Sequence, residues 1–466
     1  MAIVPRRSRS QAAAPQPAFQ RFSADYPQFW QRIKDCHDYA GAQLGTLPNL
    51  SGRDRHSHVR RLLRDRRLHL FYAYHAAKRL RWLGTATPER IEALAARCNV
   101  FDATRNELAH SRFVDKGSGK RWVQDFGPRR RMQQALVADI LRHLHPPPRT
   151  QALFNGGMPA ARKAVATAFS EGFTHGVELD FENFYGSVRL DGLADLLRPL
   201  PTSVVEHVVW DVAMRDAPCL DGPVSSVADP TPSALTGLSL GAASSPIVGE
   251  RIVSALLAVA QLPGTITYAD NLFVMGRSEE EVSARIHQIM DGVALLDVGR
   301  LGLRVGFSLG YDLAKPFEFA KQQGQASEDG MSWKPSAAKC QQYQISALER
   351  PLTLEEIATA ERRVRFWRRS YPDWAEGDAY EAEYLAGLAV RRFYHDRNAS
   401  NLTSATHAVF VAYEAWGGSR QPYEFIPTEG DITREGWQRL AEALSQWFTT
   451  VDRRRQEASG AAYAAQ

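Results

Sequence analysis

Ile266-Thr267-Tyr268-Ala269-Asp270-Asn271-Leu272-Phe273-Val274 sets one carboxylate between two apolar, β-branched and aromatic runs. That arrangement predicts a β-hairpin whose turn presents the acid. The competing reading is plain turn chemistry, since an aspartate side chain bonds its own local backbone. Two upstream segments bear on the choice. In Val177-Glu178-Leu179-Asp180-Phe181-Glu182-Asn183-Phe184-Tyr185-Gly186-Ser187-Val188, apolar and polar residues alternate into Asp180, which puts that acid where a strand ends and a helix begins. In Thr236-Gly237-Leu238-Ser239-Leu240-Gly241-Ala242-Ala243-Ser244-Ser245-Pro246-Ile247, small residues run into the apolar helical pattern of Ile252, Leu256, Leu257 and Val259.

Taken in chain order, the segments around Asp180, Gly241 and Asp270 resemble motifs A, B and C of the reverse transcriptases, most closely the bacterial retron, group II intron and defence-associated branches. The resemblance covers roughly residues 110–350. It implies an α+β fold of the right-hand polymerase kind, with a helical N-terminal region, fingers, a ferredoxin-like antiparallel palm and a helical thumb. Along the chain this divides into a disordered tail (1–20), a helical extension (21–112), fingers (113–150), a palm with the catalytic motifs (151–350) and a helical thumb and C-terminal region (351–466). The implied activity is RNA-templated DNA synthesis in bacterial anti-phage defence. The implied partners are an RNA template or noncoding RNA, deoxynucleotides and the DNA product, with a partner protein or a second copy of the chain left open.

Adding a nucleotide requires in-line attack of a hydroxyl on the α-phosphate, which two divalent ions about 3.5–4 Å apart promote at the attacking and leaving oxygens. Hard carboxylate oxygens suit Mg²⁺, with Mn²⁺ as the substitute ion. On the resemblance, Asp180 and Asp270 are the ligands and the Phe181 backbone carbonyl completes the set. Most relatives carry a second aspartate where Asn271 stands. An amide oxygen still coordinates a cation but brings no charge, so the site is expected to hold its metal less strongly. Tyr185 falls where the family sets an aromatic ring beneath the incoming sugar, where it clashes with a 2′-hydroxyl and selects deoxyribonucleotides. Its competing role is that of a core aromatic, the expected one for Phe181 and Phe184. Gly237 and Gly241 allow close backbone approach to template and nucleotide. Leu240 replaces the family's glutamine and cannot make an amide contact.

Length and composition agree with a folded multi-part protein: 466 residues, 44% of them hydrophobic. No run of about 18 apolar residues is present, and Arg6, Arg7 and Arg9 precede no apolar segment of signal-peptide length, so a cytoplasmic protein with no membrane partner is expected. Cys36, Cys98, Cys219 and Cys340 stand far apart without CxxC spacing, which suggests neither a zinc site nor a disulfide framework. A net charge of +5 suits a nucleic-acid partner.

Helical patterns run over about 23–44, 55–82 and 88–111. The second is dense in arginine, which reads either as solvated surface or as a phosphate-binding face. Lys116-Gly117-Ser118-Gly119-Lys120-Arg121 reads as a glycine turn feeding a basic strand. By the resemblance, Lys120 and Arg121 would face the triphosphate, and Lys315 falls near a lysine that protonates pyrophosphate in relatives. Arg129 and Arg131 could follow the template backbone or simply the surface. Past residue 351, Thr353 and Glu356 form a capping-box pattern. Arg362, Arg365, Trp367 and Arg368 then mix cations with an aromatic, as a duplex-gripping helix would.

Arg105-Asn106-Glu107-Leu108-Ala109-His110 resembles the Arg-Asn-x-x-x-His signature of HEPN ribonucleases, in which arginine and histidine share a helix face. The plainer role for His110 is packing at a helix end. Three functions therefore compete: an RNA-directed DNA polymerase, a catalytically weak palm serving as an RNA- or partner-binding module, and a ribonuclease centred on Arg105 and His110.

Overall fold

The computed structural model describes residues 18–80, 86–104, 107, 109–115, 120–212, 237–260, 264–306, 311–328, 330–336, 353–372, 374–396 and 398–415. They belong to two compact units, Met1–Gly306 and Phe307–Gln466.

The first unit begins with helices α1 (Ala18–Asp25), α2 (Pro27–Gly45), α3 (Gly52–Leu62), α4 (Arg66–Arg79) and α5 (Pro88–Ala96). Local signals cut the first two expected helices. Pro27 opens α2 at its first position, where its missing N–H costs nothing. Asp65 caps α4 by accepting from the Arg67 and Leu68 amides at 2.8 and 3.2 Å, which interrupts the helix expected over 55–82. Phe22, Phe29 and Tyr74 form the aromatic centre of this layer, with ring centroids 6.0 to 6.1 Å apart. The third expected helix stops at Ala96 instead of reaching Ser111, and Ala109–Asp115 is a strand, β1.

β1 pairs antiparallel with β2 (Lys120–Phe126), in a register that sets Asp115 opposite Lys120. The glycine turn between them, Lys116 included, lies outside the described residues. Helix α6 (Pro128–Leu144) follows, with Met132, Leu136, Val137 and Ile140 fully buried. The Glu107 carboxylate caps it by accepting from the Arg129 and Arg130 amides at 2.8 and 2.7 Å. Arg130, in the basic run that could follow the template backbone or the surface, is instead 3% exposed and pairs with Asp211 while donating to the Thr104 carbonyl. A desolvated pair of this kind is costly to break from one side, since the survivor is left as a buried charge.

The rest of the unit includes α7 (Gly157–Ser170), β3 (His175–Glu182), the single turn α8 (Phe184–Ser187), α9 (Leu190–Leu196), α10 (Ser245–Ala260), β4 (Thr265–Tyr268), β5 (Asn271–Gly276), α11 (Glu279–Leu295) and β6 (Gly302–Val305). The strands form one sheet in the order β4-β5-β3-β6, every neighbour antiparallel. Along β3 the side chains alternate as a strand must: Val177, Leu179 and Phe181 are buried, while Asp180 turns to the more open face. Central β5 is buried over Leu272–Met275. Arg285 ties α11 to this strand, donating to the Met275 carbonyl at 2.5 Å and to Glu281 at 2.6 Å.

The second unit holds an antiparallel meander, β7 (Phe317–Phe319), β8 (Gln322–Ser327) and β9 (Gly330–Pro335), then helices α12 (Leu354–Ser370), α13 (Gly377–His395) and α14 (Ala399–Ala415). The meander was not anticipated. Its first turn carries two non-glycine residues at positive φ, Ala320 (49°) and Lys321 (63°), which hides the usual glycine signal. The capping box does form, with Glu356 N–H to Thr353 Oγ1 at 3.2 Å and Thr353 N–H to Glu356 Oε2 at 2.8 Å. Cys36 and Cys98 are free and buried. Among the described residues no helix is long and apolar enough to cross a membrane.

Candidate active site

Strand register joins the two acids. Asp180 stands opposite Asn271 in the β3–β5 ladder, and Tyr268 faces the same Asn271 across the β4–β5 hairpin. Antiparallel partners have Cα atoms about 4.5–5.5 Å apart, and Asp270 is one peptide, about 3.8 Å, before Asn271. The backbones of Asp180 and Asp270 are therefore within about 9 Å, close enough for both carboxylates to reach one pair of cations about 4 Å apart.

Ala269 and Asp270 make a two-residue hairpin turn, the geometry expected from the sequence. Ala269 adopts φ 55°, a left-handed conformation that costs an L-residue roughly 1–2 kcal/mol. Asn271 donates its amide to the Tyr268 carbonyl at 3.4 Å and to Asp270 Oδ1 at 3.5 Å, both long contacts.

Arg304 is a cation at this site that the sequence reading overlooked. It lies opposite Asp180 on β6 and donates from Nη2 to Asp180 Oδ2 at 3.0 Å. The side chains are 66% and 31% exposed, so solvent screening limits the pair to about 1 kcal/mol or less. Lys315, the lysine singled out from the sequence, is exposed and belongs to the second unit.

The glycine loop before α10 is wedged between two other segments. Leu238 N–H donates to the Tyr185 carbonyl at 2.7 Å, and a Cβ at Gly237 would fall 1.8 Å from that oxygen. On the other side, Gln124 N–H from β2 donates to the Leu240 carbonyl at 2.7 Å. Gly241 has φ 105°, and a Cβ there would fall 2.2 Å from the Gln124 carbonyl. Side chains are excluded at both glycines by backbone atoms that cannot swing away. The Tyr185 ring packs over α10 at Gly249, where a Cβ would lie 3.4 Å from its hydroxyl. Phe181 and Phe184 are buried with ring centroids 4.9 Å apart, the core role expected of them.

Glu250 on α10 was also missed. It is 2% exposed, and neither carboxylate oxygen makes a hydrogen bond of full geometry. Burial pushes this carboxyl up to about 7; the facing Ala269 amide opposes the rise and the Asp270 charge adds to it. Its main chain is held firmly. Gln151 Nε2 and Ser254 Oγ each donate to the Glu250 carbonyl at 2.9 Å, and Gln151 itself bridges to Thr267 of β4. The available sequence signal was a lone acid between Ile247-Val248 and Ile252-Val253, where periodicity demands burial.

Of the remaining expected residues, Lys120 and Arg121 lie on β2, with side chains outside the described residues. Arg131 is bound within the protein, donating Nε–H to the Phe126 carbonyl at 2.8 Å with Asp125 3.6 Å away. The Arg129 Nε is buried. On α12, Arg362 and Arg365 are exposed, and the Trp367 side chain lies outside the described residues. Arg368 is not a free cation: it bridges to Asp378 at 2.6 Å and to the Tyr371 carbonyl at 2.8 Å. Arg105 is outside the described residues, and His110 sits on β1 opposite Asp125, not on a helix. The helix face on which the ribonuclease pattern depends does not form there, because α5 ends thirteen residues before Ala109.

The donors suit hard divalent cations. Asp180, Asp270 and the Asn271 amide offer oxygen donors, and Mg²⁺ takes only one or two protein carboxylates, drawing the remainder from water and substrate phosphate. Among the described residues no group of three His, Cys, Asp or Glu side chains forms a closed all-protein metal cage.

No protein-family model matches the sequence, and no curated protein matches it. Among solved structures, the RNA-dependent RNA polymerase of a human picobirnavirus is similar at 13% identity and a TM-score of 0.30, over 66% of this chain and 61% of that one. The match spans less than two thirds of that polymerase and is too loose to establish a common fold.

Proposed function

We propose that the chain is a template-directed nucleic-acid polymerase, and specifically an RNA-directed DNA polymerase whose palm is the β4-β5-β3-β6 sheet. The observation that carries this reading is the register that sets Asp180 opposite the Asp270–Asn271 step. Two motif acids from distant parts of the chain meet at the end of one antiparallel sheet, beside a glycine loop that excludes side chains.

Asp180 and Asp270 would hold Mg²⁺, with the Phe181 carbonyl as a further ligand. Bound there, the ions would supply Lewis-acid polarisation of the attacking hydroxyl and of the pyrophosphate leaving group. The chain's own residues do the rest. Tyr185, backed by Gly249 and anchored through its carbonyl to Leu238, limits the space beneath the sugar and favours deoxyribonucleotides. Gly237 and Gly241 let template and nucleotide approach the backbone. Arg304 balances the charge of Asp180 and, once that carboxylate takes a cation, is free to meet the triphosphate. The template is RNA or a noncoding RNA, and anti-phage defence is the setting the motif resemblance suggests.

Purified protein supplied with an RNA template, a DNA primer, dNTPs and Mg²⁺ is expected to extend the primer, and Asp270→Ala to abolish extension. Equal silence of wild type and Asp270→Ala on every copurified RNA would refute the polymerase. A second reading then takes over, that of an RNA- or partner-binding module. Two features favour it: the neutral Asn271, and the Arg304 guanidinium already seated on Asp180.

A further inference from the structure

The proposed metal site has a residue behind it that neither the motifs nor the chemistry of nucleotide addition require. We propose that Glu250 is a positioning residue: its buried side chain backs the Ala269 amide, supports the left-handed turn, and so fixes where Asp270 points. This rests on the polymerase reading of the site and deepens it.

Three observations converge on the same two residues. Glu250 is 2% exposed with no full hydrogen bond at either oxygen, a costly state for a carboxylate unless it has a purpose or a partner. The group it faces is the Ala269 N–H, in the loop that carries Asp270. Ala269 is also the residue that needs holding, since φ 55° is unfavourable for any side chain larger than glycine's. A strained turn persists only where its surroundings over-determine it.

The support is rigid. Gln151 fastens the Glu250 carbonyl at 2.9 Å and bridges to Thr267, one residue before Tyr268, so helix α10 and the hairpin are locked at the level of the carboxylate. A side chain on α10 can therefore transmit its position to the turn without slack.

The test is Mn²⁺ binding followed by electron paramagnetic resonance, with primer extension in parallel. Glu250→Ala is expected to raise the Mn²⁺ binding midpoint about 10- to 100-fold, the usual effect of losing a group that orients a ligand. Glu250→Gln, which keeps an acceptor oxygen for the Ala269 amide, is expected to stay within about fivefold of wild type, the allowance for one lost unit charge at short range in water. Adding Ala269→Gly to Glu250→Ala is expected to recover at least about half of the loss on a logarithmic scale, because glycine adopts positive φ unaided. Thermal unfolding identifies any variant that has lost its fold, and the order of the Gln and Gly variants then decides the case. If wild type binds Mn²⁺ but Glu250→Ala matches it, or Glu250→Gln is as weak as Glu250→Ala and glycine rescues neither, the positioning role is overturned and the polymerase reading stands. If wild type binds no Mn²⁺, both fall together.

Discussion

Replacing Gly237 by alanine adds one methyl group at the closest backbone approach in the site. The new Cβ would fall 1.8 Å from the Tyr185 carbonyl oxygen and 2.4 Å from the Gly186 Cα, neither of which can rotate away. Normal contact is about 3.5 Å, so the two segments must part by more than about 1 Å. That separation breaks the 2.7 Å Leu238–Tyr185 hydrogen bond, worth about 1 kcal/mol. Overpacking adds about 1–3 kcal/mol. The sum, about 2–4 kcal/mol, should lower the first unit's unfolding midpoint by about 4–8 °C. The same movement shifts Tyr185 relative to the nucleotide, and a misplacement of about 1 Å costs about 100-fold in rate. Differential scanning fluorimetry and single-nucleotide extension measure the two effects. A Gly237→Ala protein with an unchanged midpoint and undiminished extension would refute the idea that the glycine loop is wedged against motif A.

Arg304→Gln should lower the Mg²⁺ concentration for half-maximal extension by about fivefold, since about 1 kcal/mol of competing attraction for Asp180 is removed; an unchanged or higher midpoint in an Mg²⁺ titration counts against the pairing. Its KM for dNTP should rise in the same experiment if the guanidinium also meets the triphosphate. Tyr185→Ala should admit ribonucleotides, and sugar selection equal to wild type in paired dNTP and NTP extension assays rejects the gate. His145 is half-buried with its Nε2 fully enclosed, and that burial, with Arg251 nearby, lowers its pKa from 6.5 to about 4. The unfolded chain therefore takes up a proton on acidification before the native state does. Stability present above pH 6.5 should fall by about 3 kcal/mol as the pH drops toward 4 and then level off. His145→Phe should flatten that part of a plot of unfolding midpoint against pH, and an unflattened profile assigns the acid sensitivity to other groups.

Much of the site was legible because strand pairing writes itself into sequence. Two apolar, β-branched and aromatic runs broken by Ala269-Asp270 leave little but a tight hairpin, and alternation into Asp180 sets the face that acid occupies. Helix ends were partly legible as well: the Thr353–Glu356 box formed as expected, whereas Asp65 cut a helix that its apolar stripe suggested would continue. The pattern over 88–111 misled because helical periodicity in an arginine- and alanine-rich stretch is weak. The partner that makes 109–115 a strand is β2, which lies beyond the turn.

What the sequence determined alone was local: the acids, the glycines, the turn between β4 and β5, and the aromatic run after Asp180. Each follows from backbone preferences and side-chain periodicity within a few residues. Tertiary structure alone decided which charges meet. Arg304 reaches Asp180 only because β6 pairs with β3, Arg130 finds Asp211 in the interior, and Glu250 comes to the hairpin of Ala269 through Gln151, which bonds its carbonyl and bridges to Thr267. Charges act through space over a few ångströms, and no rule of sequence spacing tells which distant residues will share that space.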